Sequence, residues 1–176
     1  LESYSTHFEA CYNRVLAAKL GLIDREDESA AAFVEDGELG ERFLGLMARH
    51  EADFTNSWRA LAEGSPDSPE QIDHMGQWLG NSDELKQWMK DYANRLGRAG
   101  ITESRRRQHM NRANPAIIPR NHQIEMAIKA ARQGDMDPAE RLSMALRSPY
   151  QLPEASPWLQ SPPSADEVVP ATFCGT

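Results

Sequence analysis

Cysteine is nearly absent from this chain: Cys11 and Cys174 are the two in 176 residues, with no C-x-x-C pair. That excludes a disulfide-stapled secreted scaffold and points to a reducing compartment, so a cytoplasmic protein is expected. Long apolar runs are missing as well. No stretch approaches the ~18 apolar residues needed to cross a bilayer, and the opening LESYSTHFEACY lacks a basic-then-apolar signal pattern. Basic charge is short too. Nineteen Lys and Arg against 27 Asp and Glu leave a net charge of −8, so neither nucleic acid nor membrane is an expected partner.

Catalytic signatures are also lacking. The sequence has no Gly-rich phosphate loop, no H-E-x-x-H, no nucleophile elbow and no kinase-type HRD or DFG. Five scattered histidines do not suggest the four convergent ligands of a zinc site. No catalytic, cofactor-binding or metal-binding residue is therefore assigned, and these residues alone are not expected to form a self-sufficient enzyme. The chain opens on Leu in mid-helix pattern, which suggests a processed or truncated piece of something longer.

What is present is helix signal from end to end, with no alternating strand run. Thr6-x-x-Glu9 reads as a capping box opening a helix with Phe8, Tyr12, Val15, Leu16 and Leu20 on its apolar side, closed by Gly21. The acidic IDREDESAAAFVED reads as a loop or weak helix. A helix is expected from Glu38 to His50, and another after Asp53 as N-cap, with Phe54, Trp58 and Leu61 on one face. Ser68-Pro69, Ser82 and Thr102 open three more. The third must stop at Asn114, since the residue before a proline leaves helical geometry. Asn121 to Gln133 and Asp137 to about Pro149 complete the set. Beyond lie Pro153, Pro157, Pro162, Pro163 and Pro170, so an extended course is expected. The fold class is all-α: a multi-helix domain over 1–149 and a Pro-rich extended tail over 150–176.

Some residues stand out against that background. Cys11 falls on the apolar side of the first helix and reads as a small buried hydrophobe, whereas Cys174 sits near the end of the sequence as an exposed thiol. Arg105, Arg106, Arg107 and Arg112 spread around one helix, as a solvated or salt-bridged face or as a site for an anion or acidic partner. In DFTNSWRAL, Asp53 and Arg59 interleave with aromatics. In NPAIIPRNHQ, Asn114 and Pro115 lead to Arg120 and Asn121 at a helix start, where Asn121 is a candidate N-cap. A cation is disfavoured there, so Arg120 is expected to pair with a carboxylate. Asp53 is the nearest candidate partner for Arg59 and Arg120.

The order KLGL (19–22), DFTNSWRAL (53–61), M-x-x-x-NPAIIPRN (110–121), an AIKAARQGD helix pair and a terminal FCGT resembles the C-terminal part of the selenoprotein O family. The resemblance covers essentially the whole chain. NPxxxxRN with the terminal cysteine is its specific part. Two departures occur: Ser57-Trp58 stand where two aromatics are usual, and Gly175-Thr176 replace the usual last two residues. The resemblance implies a pseudokinase-fold protein adenylyltransferase that moves AMP from ATP onto protein hydroxyls with magnesium. Its nucleotide- and metal-binding residues lie upstream of the matched region, so none is carried onto this chain. It implies an upstream kinase-like domain of the same chain and protein substrates as partners, with Asp53, Arg59, Asn114, Pro115, Arg120 and Asn121 as structural or interdomain positions. It also implies that Cys174 forms a regulatory disulfide with an activation-segment cysteine; Cys11, expected to be buried, is not the partner foreseen. The alternative is a free-standing helical interaction module that binds an acidic or helical partner through Arg105–Arg107 and Arg112.

Overall fold

The structure is a computed structural model that describes residues 2–25, 28–152 and 156–169. Among these there are eight α-helices and no strand: α1 (Glu2–Lys19), α2 (Ala30–Arg49), α3 (Phe54–Leu61), α4 (Pro69–Leu79), α5 (Asp83–Ala99), α6 (Glu103–Ala113), α7 (Asn121–Ala131) and α8 (Asp137–Ala145). A 3-10 turn follows at Pro157–Gln160. No helix among the described residues is long and apolar enough to cross a membrane.

Local chemistry explains most helix starts. Ser29, Asp53, Ser68, Ser82 and Thr102 each accept a hydrogen bond from the backbone N–H three residues on, worth about 1 kcal/mol apiece. Two boundaries differ from expectation. α1 begins at Glu2, so Thr6-x-x-Glu9 lies inside a helix; Glu2–Ser5 contain neither Gly nor Pro to stop it. α2 begins at Ala30 rather than Glu38, because Ser29 caps it and three alanines carry the helix through the acidic stretch.

The chain divides into two compact units, residues 1–114 and 115–176. The division falls at Asn114-Pro115. In the first unit α1 to α6 enclose an apolar core. Phe43 is its centre, 4.7 Å from Trp58 and 4.6 Å from Trp88, which stacks on Tyr92 at 5.2 Å. Burying Phe43 alone is worth about 1.5–3 kcal/mol. Two of these rings spend their polar ends on backbone: Trp88 Nε1 donates to Leu39 O at 2.9 Å and the Tyr92 hydroxyl to Leu20 O at 2.6 Å. α1 lies close against α2 because Gly37 and Gly40 have no side chain; a Cβ at Gly37 would sit 2.0 Å from Asn13 Oδ1.

α2 covers only part of α1. Leu16, Ala17 and Leu20 are buried, but Phe8 and Val15 are more than half exposed and Cys11 is exposed. The expected single apolar side of α1 is thus split between core and surface.

The second unit packs α7 against α8 around Ile117, Leu142 and Leu159. The proline-rich segment is not simply extended. Leu159, in the 3-10 turn, is 1% exposed, and Gln123 Nε2 donates to both Trp158 O and Leu159 O at 3.2 Å. Gln160 Nε2 in turn donates to Ala116 O at 3.2 Å, while the N–H groups of Ala116 and Ile117 donate to Pro149 O. Side-chain amides here do the work that a sheet ladder would do for an extended strand.

Candidate functional site around Asn114

Pro115 forces the residue before it out of the helix, and Asn114 accordingly takes φ −115° and ψ 112° at the end of α6. That turn brings its side chain back onto α1. Asn114 Nδ2 donates to Lys19 O at 2.9 Å, and Lys19 Nζ donates to Asn114 Oδ1 at 3.1 Å. Its backbone carbonyl accepts from Arg59 Nη1 at 3.4 Å. Lys19 Nζ lies 5.1 Å from the Phe54 ring centroid and 5.2 Å from that of Trp58, within cation–π range. Three segments far apart in sequence, KLGL, DFTNSWR and N-P, therefore meet at one asparagine. Burial pushes the Lys19 ammonium below its ordinary pKa; it does the same to the Arg59 guanidinium, with the charge of Glu63 opposing.

Asp53 caps α3. Its Oδ1 accepts from Asn56 N at 2.8 Å, the bond of an N-cap, and Arg59 spans α3 toward the Asn114 carbonyl. In the second unit Arg120, 8% exposed, occupies the N-cap position of α7 without a side-chain capping bond. Asn121 is the first helical residue and is exposed, so it is not the cap. Pro115, Arg120 and Asn121 thus belong to one unit, and Asp53, Arg59 and Asn114 to the other.

The arginine run has a structural use that neither expectation foresaw. Arg106 is 1% exposed. Its guanidinium donates to Leu61 O at 2.9 Å, Gly64 O at 2.6 Å and Ala62 O at 3.4 Å, and pairs with Glu103 at 2.6 Å. Arg107 Nη2 donates to Glu63 O at 2.6 Å and Arg105 Nη2 to Asp24 O at 3.2 Å. Carbonyls at a helix C-terminus lack intrahelical donors, and Arg106 and Arg107 supply them at the end of α3. Arg106 is therefore a buried tie rather than a docking residue, while Arg105 and Arg107 are exposed and Arg107 shares Glu103 at 3.7 Å, as expected of a solvated or salt-bridged face; Arg112 is exposed as well.

Sequence reading missed a second buried charge cluster. Asp36 Oδ2 lies 2.5 Å from Arg25 Nη2, and Asp36 Oδ1 lies 2.8 Å from Arg95 Nε, with Asp36 and Arg25 essentially inaccessible. Glu35 pairs with both Arg95 and Arg98. Burial raises the Asp36 carboxyl pKa, and the guanidiniums of Arg95 and Arg25 pull it back. The signal was available: Asp36 falls in helical register with buried Phe33, Leu39, Gly40 and Phe43, and a carboxylate on an apolar stripe needs a cation.

Cys11 is exposed, against expectation, with Sγ 3.6 Å from His7 Nε2 one turn back. Cys174 lies outside the described residues. Among the described residues, no group of three or more His, Cys, Asp or Glu could hold a metal ion. The clusters found here tie helices to carbonyls; what they do is hold shape.

The family model for protein adenylyltransferase SelO matches residues 1–147. The chain belongs to the SelO family. SelO relatives named protein nucleotidyltransferase YdiU align over nearly all of it. The one from Jannaschia sp. is 34% identical across 100% of this chain and 34% of its own length. That from Geobacillus kaustophilus shows the same identity and the same coverage. The Ruegeria pomeroyi protein is 40% identical over 96% of this chain and 31% of itself. The chain thus spans about a third of the length of the curated SelO relatives it matches. The SelO match takes in Lys19, Asp53, Arg59, Asn114, Pro115, Arg120 and Asn121, while Cys174 lies beyond it.

Proposed function

We propose that these residues are the C-terminal helical part of a protein adenylyltransferase, with Cys174 as its redox-regulatory residue. The SelO match over residues 1–147 carries the reading. It is supported by relatives three times as long that are named nucleotidyltransferases, and by side-chain clusters here that satisfy main-chain carbonyls rather than face a reactant. In this reading a kinase-like domain upstream in the same cytoplasmic chain binds ATP and magnesium. It transfers AMP to hydroxyls of protein substrates, displacing pyrophosphate. The present helices support that domain, and Asn114 fixes the angle at which α1, α3 and α6 meet. Cys174 and an activation-segment cysteine lose two electrons and two protons to an oxidant such as peroxide, which becomes water, and form a disulfide that a thiol reductant reverses.

The test is transfer of labelled AMP by the full-length protein, oxidised or reduced. Transfer that depends on redox state in wild type and loses that dependence in Cys174→Ser is expected. Equal redox dependence in both proteins would remove the role of Cys174, and no AMP transfer under any condition would remove the enzymatic reading.

A further inference from the structure

Tyr4, Phe8, Tyr12 and Val15 recur at helical spacing along α1. At about 100° per residue they fall within an arc of about 80°; Tyr4, Phe8 and Val15 face outward, while half-buried Tyr12 lies at the edge of the stripe and packs against the core. Tyr4 is 74% exposed, Phe8 56% and Val15 53%. Phe8 and Tyr12 stack on each other with centroids 5.9 Å apart, so the stripe presents a continuous aromatic surface. A run of this kind is more than the scattered apolar exposure ordinary on soluble proteins, and such patches mark interaction sites.

Tyr12 also lines a groove of about 840 Å³ bounded by α1, α2 and α5. Its arginines are already engaged: Arg42 pairs with Asp91, and Arg95 and Arg98 pair with Glu35. The other charged residues of the lining are Glu9, Glu38 and Glu41, and no ion pair to a cation is formed by them among the described residues. An apolar stripe beside a negative groove fits a segment that carries both apolar and basic side chains.

We propose that this surface, the outer face of α1 with the adjoining groove, docks a basic amphipathic segment of the same SelO protein outside residues 1–176. This rests on the reading of the chain as part of a longer adenylyltransferase. The relatives supply the scale, since about two-thirds of their length lies outside the aligned region. A second copy of the chain is a poorer occupant, because it would bring a net charge of −8 to an acidic groove.

The experiment places the photocrosslinking residue p-benzoylphenylalanine at position 8 of the full-length protein, with the same residue at exposed Gln108 as control. Irradiation is expected to yield an intramolecular crosslink from position 8 to a Lys- or Arg-containing peptide outside residues 1–176. The yield should fall several-fold in Glu38→Lys/Glu41→Lys, and the control position should not label that peptide. A crosslink between two copies, a crosslink to residues 115–176, or none at all would overturn the proposal. AMP transfer is measured on the same protein. Transfer without the crosslink sinks the docking surface and leaves the enzyme reading intact; the crosslink without transfer does the reverse.

Discussion

At the scale of single residues, Arg106 and Tyr92 carry the most consequence per atom. Arg106 joins α6 to the end of α3 through a planar fork that reaches Leu61, Ala62 and Gly64. Hydrogen bonds to a charged group are worth about 1.5–3 kcal/mol each, so Arg106→Ala should lower unfolding free energy by about 3 kcal/mol or more. Arg106→Lys should recover little of it, because an ammonium cannot reproduce the fork. Urea denaturation midpoints check both, and an unchanged midpoint for Arg106→Ala would contradict this account. Tyr92 gives a pH dependence. Burial raises its hydroxyl to about 12 from the ordinary 10.0, with Arg106 pulling the other way. The folded state therefore keeps the proton more tightly than the unfolded state. Its stabilising contribution is complete below pH 10 and is lost as pH climbs from 10 to about 12, on the order of 3 kcal/mol in all. Stability measured across that range should fall, and Tyr92→Phe should flatten the slope while removing the hydroxyl's bond to Leu20 O.

At the scale of elements, the tightest fit is between α1 and α2. A Cβ at Gly37 would meet Asn13 Oδ1 at 2.0 Å, and one at Gly40 would meet Leu16 Cβ at 2.9 Å. Asn13 can give way by changing rotamer; Leu16 is locked in the core. Gly37→Ala should cost about 1–3 kcal/mol from overpacking. The double change Gly37→Ala/Asn13→Ala should return part of that cost, a coupling that a double-mutant cycle reads directly. Additive losses would mean that the two side chains do not compete for the space. Helix propensity points the other way, since Ala outranks Gly by about 1 kcal/mol in a helix interior. The sign of the single-mutant result therefore decides between propensity and packing.

At the scale of the whole molecule, the arrangement is two helical units with an asparagine–proline step between them. The polar clusters in the first hold backbone carbonyls or pair carboxylates with guanidiniums, and the described residues offer no group of three or more His, Cys, Asp or Glu that could hold a metal ion. Mg-ATP titrated calorimetrically into the 176-residue chain should give no binding isotherm, whereas the full-length SelO protein should give one. A defined isotherm with the 176 residues alone would show that the nucleotide site had been placed wrongly.

Most of the helices, four of their caps and the all-α class were determined by the sequence itself, because helices and caps depend on partners three or four residues away. Asp53, Ser68, Ser82 and Thr102 cap the helices assigned to them, and Asn114 ends α6 because Pro115 follows. What tertiary structure decided is which polar residue goes where. Periodicity marks α1 as amphipathic, yet only the position of α2 shows that Leu16 and Leu20 are core while Phe8 and Cys11 are surface. Lys19 looked unremarkable in KLGL because its partner Asn114 is 95 residues on. Arg106 read as part of a solvated or salt-bridged face, and its pair with Glu103 is local, but the carbonyls it satisfies lie 42–45 residues earlier. A side chain as long as arginine's has many carbonyls within its reach in a folded chain, and which of them lacks an intrahelical donor is known only once the helices are in place.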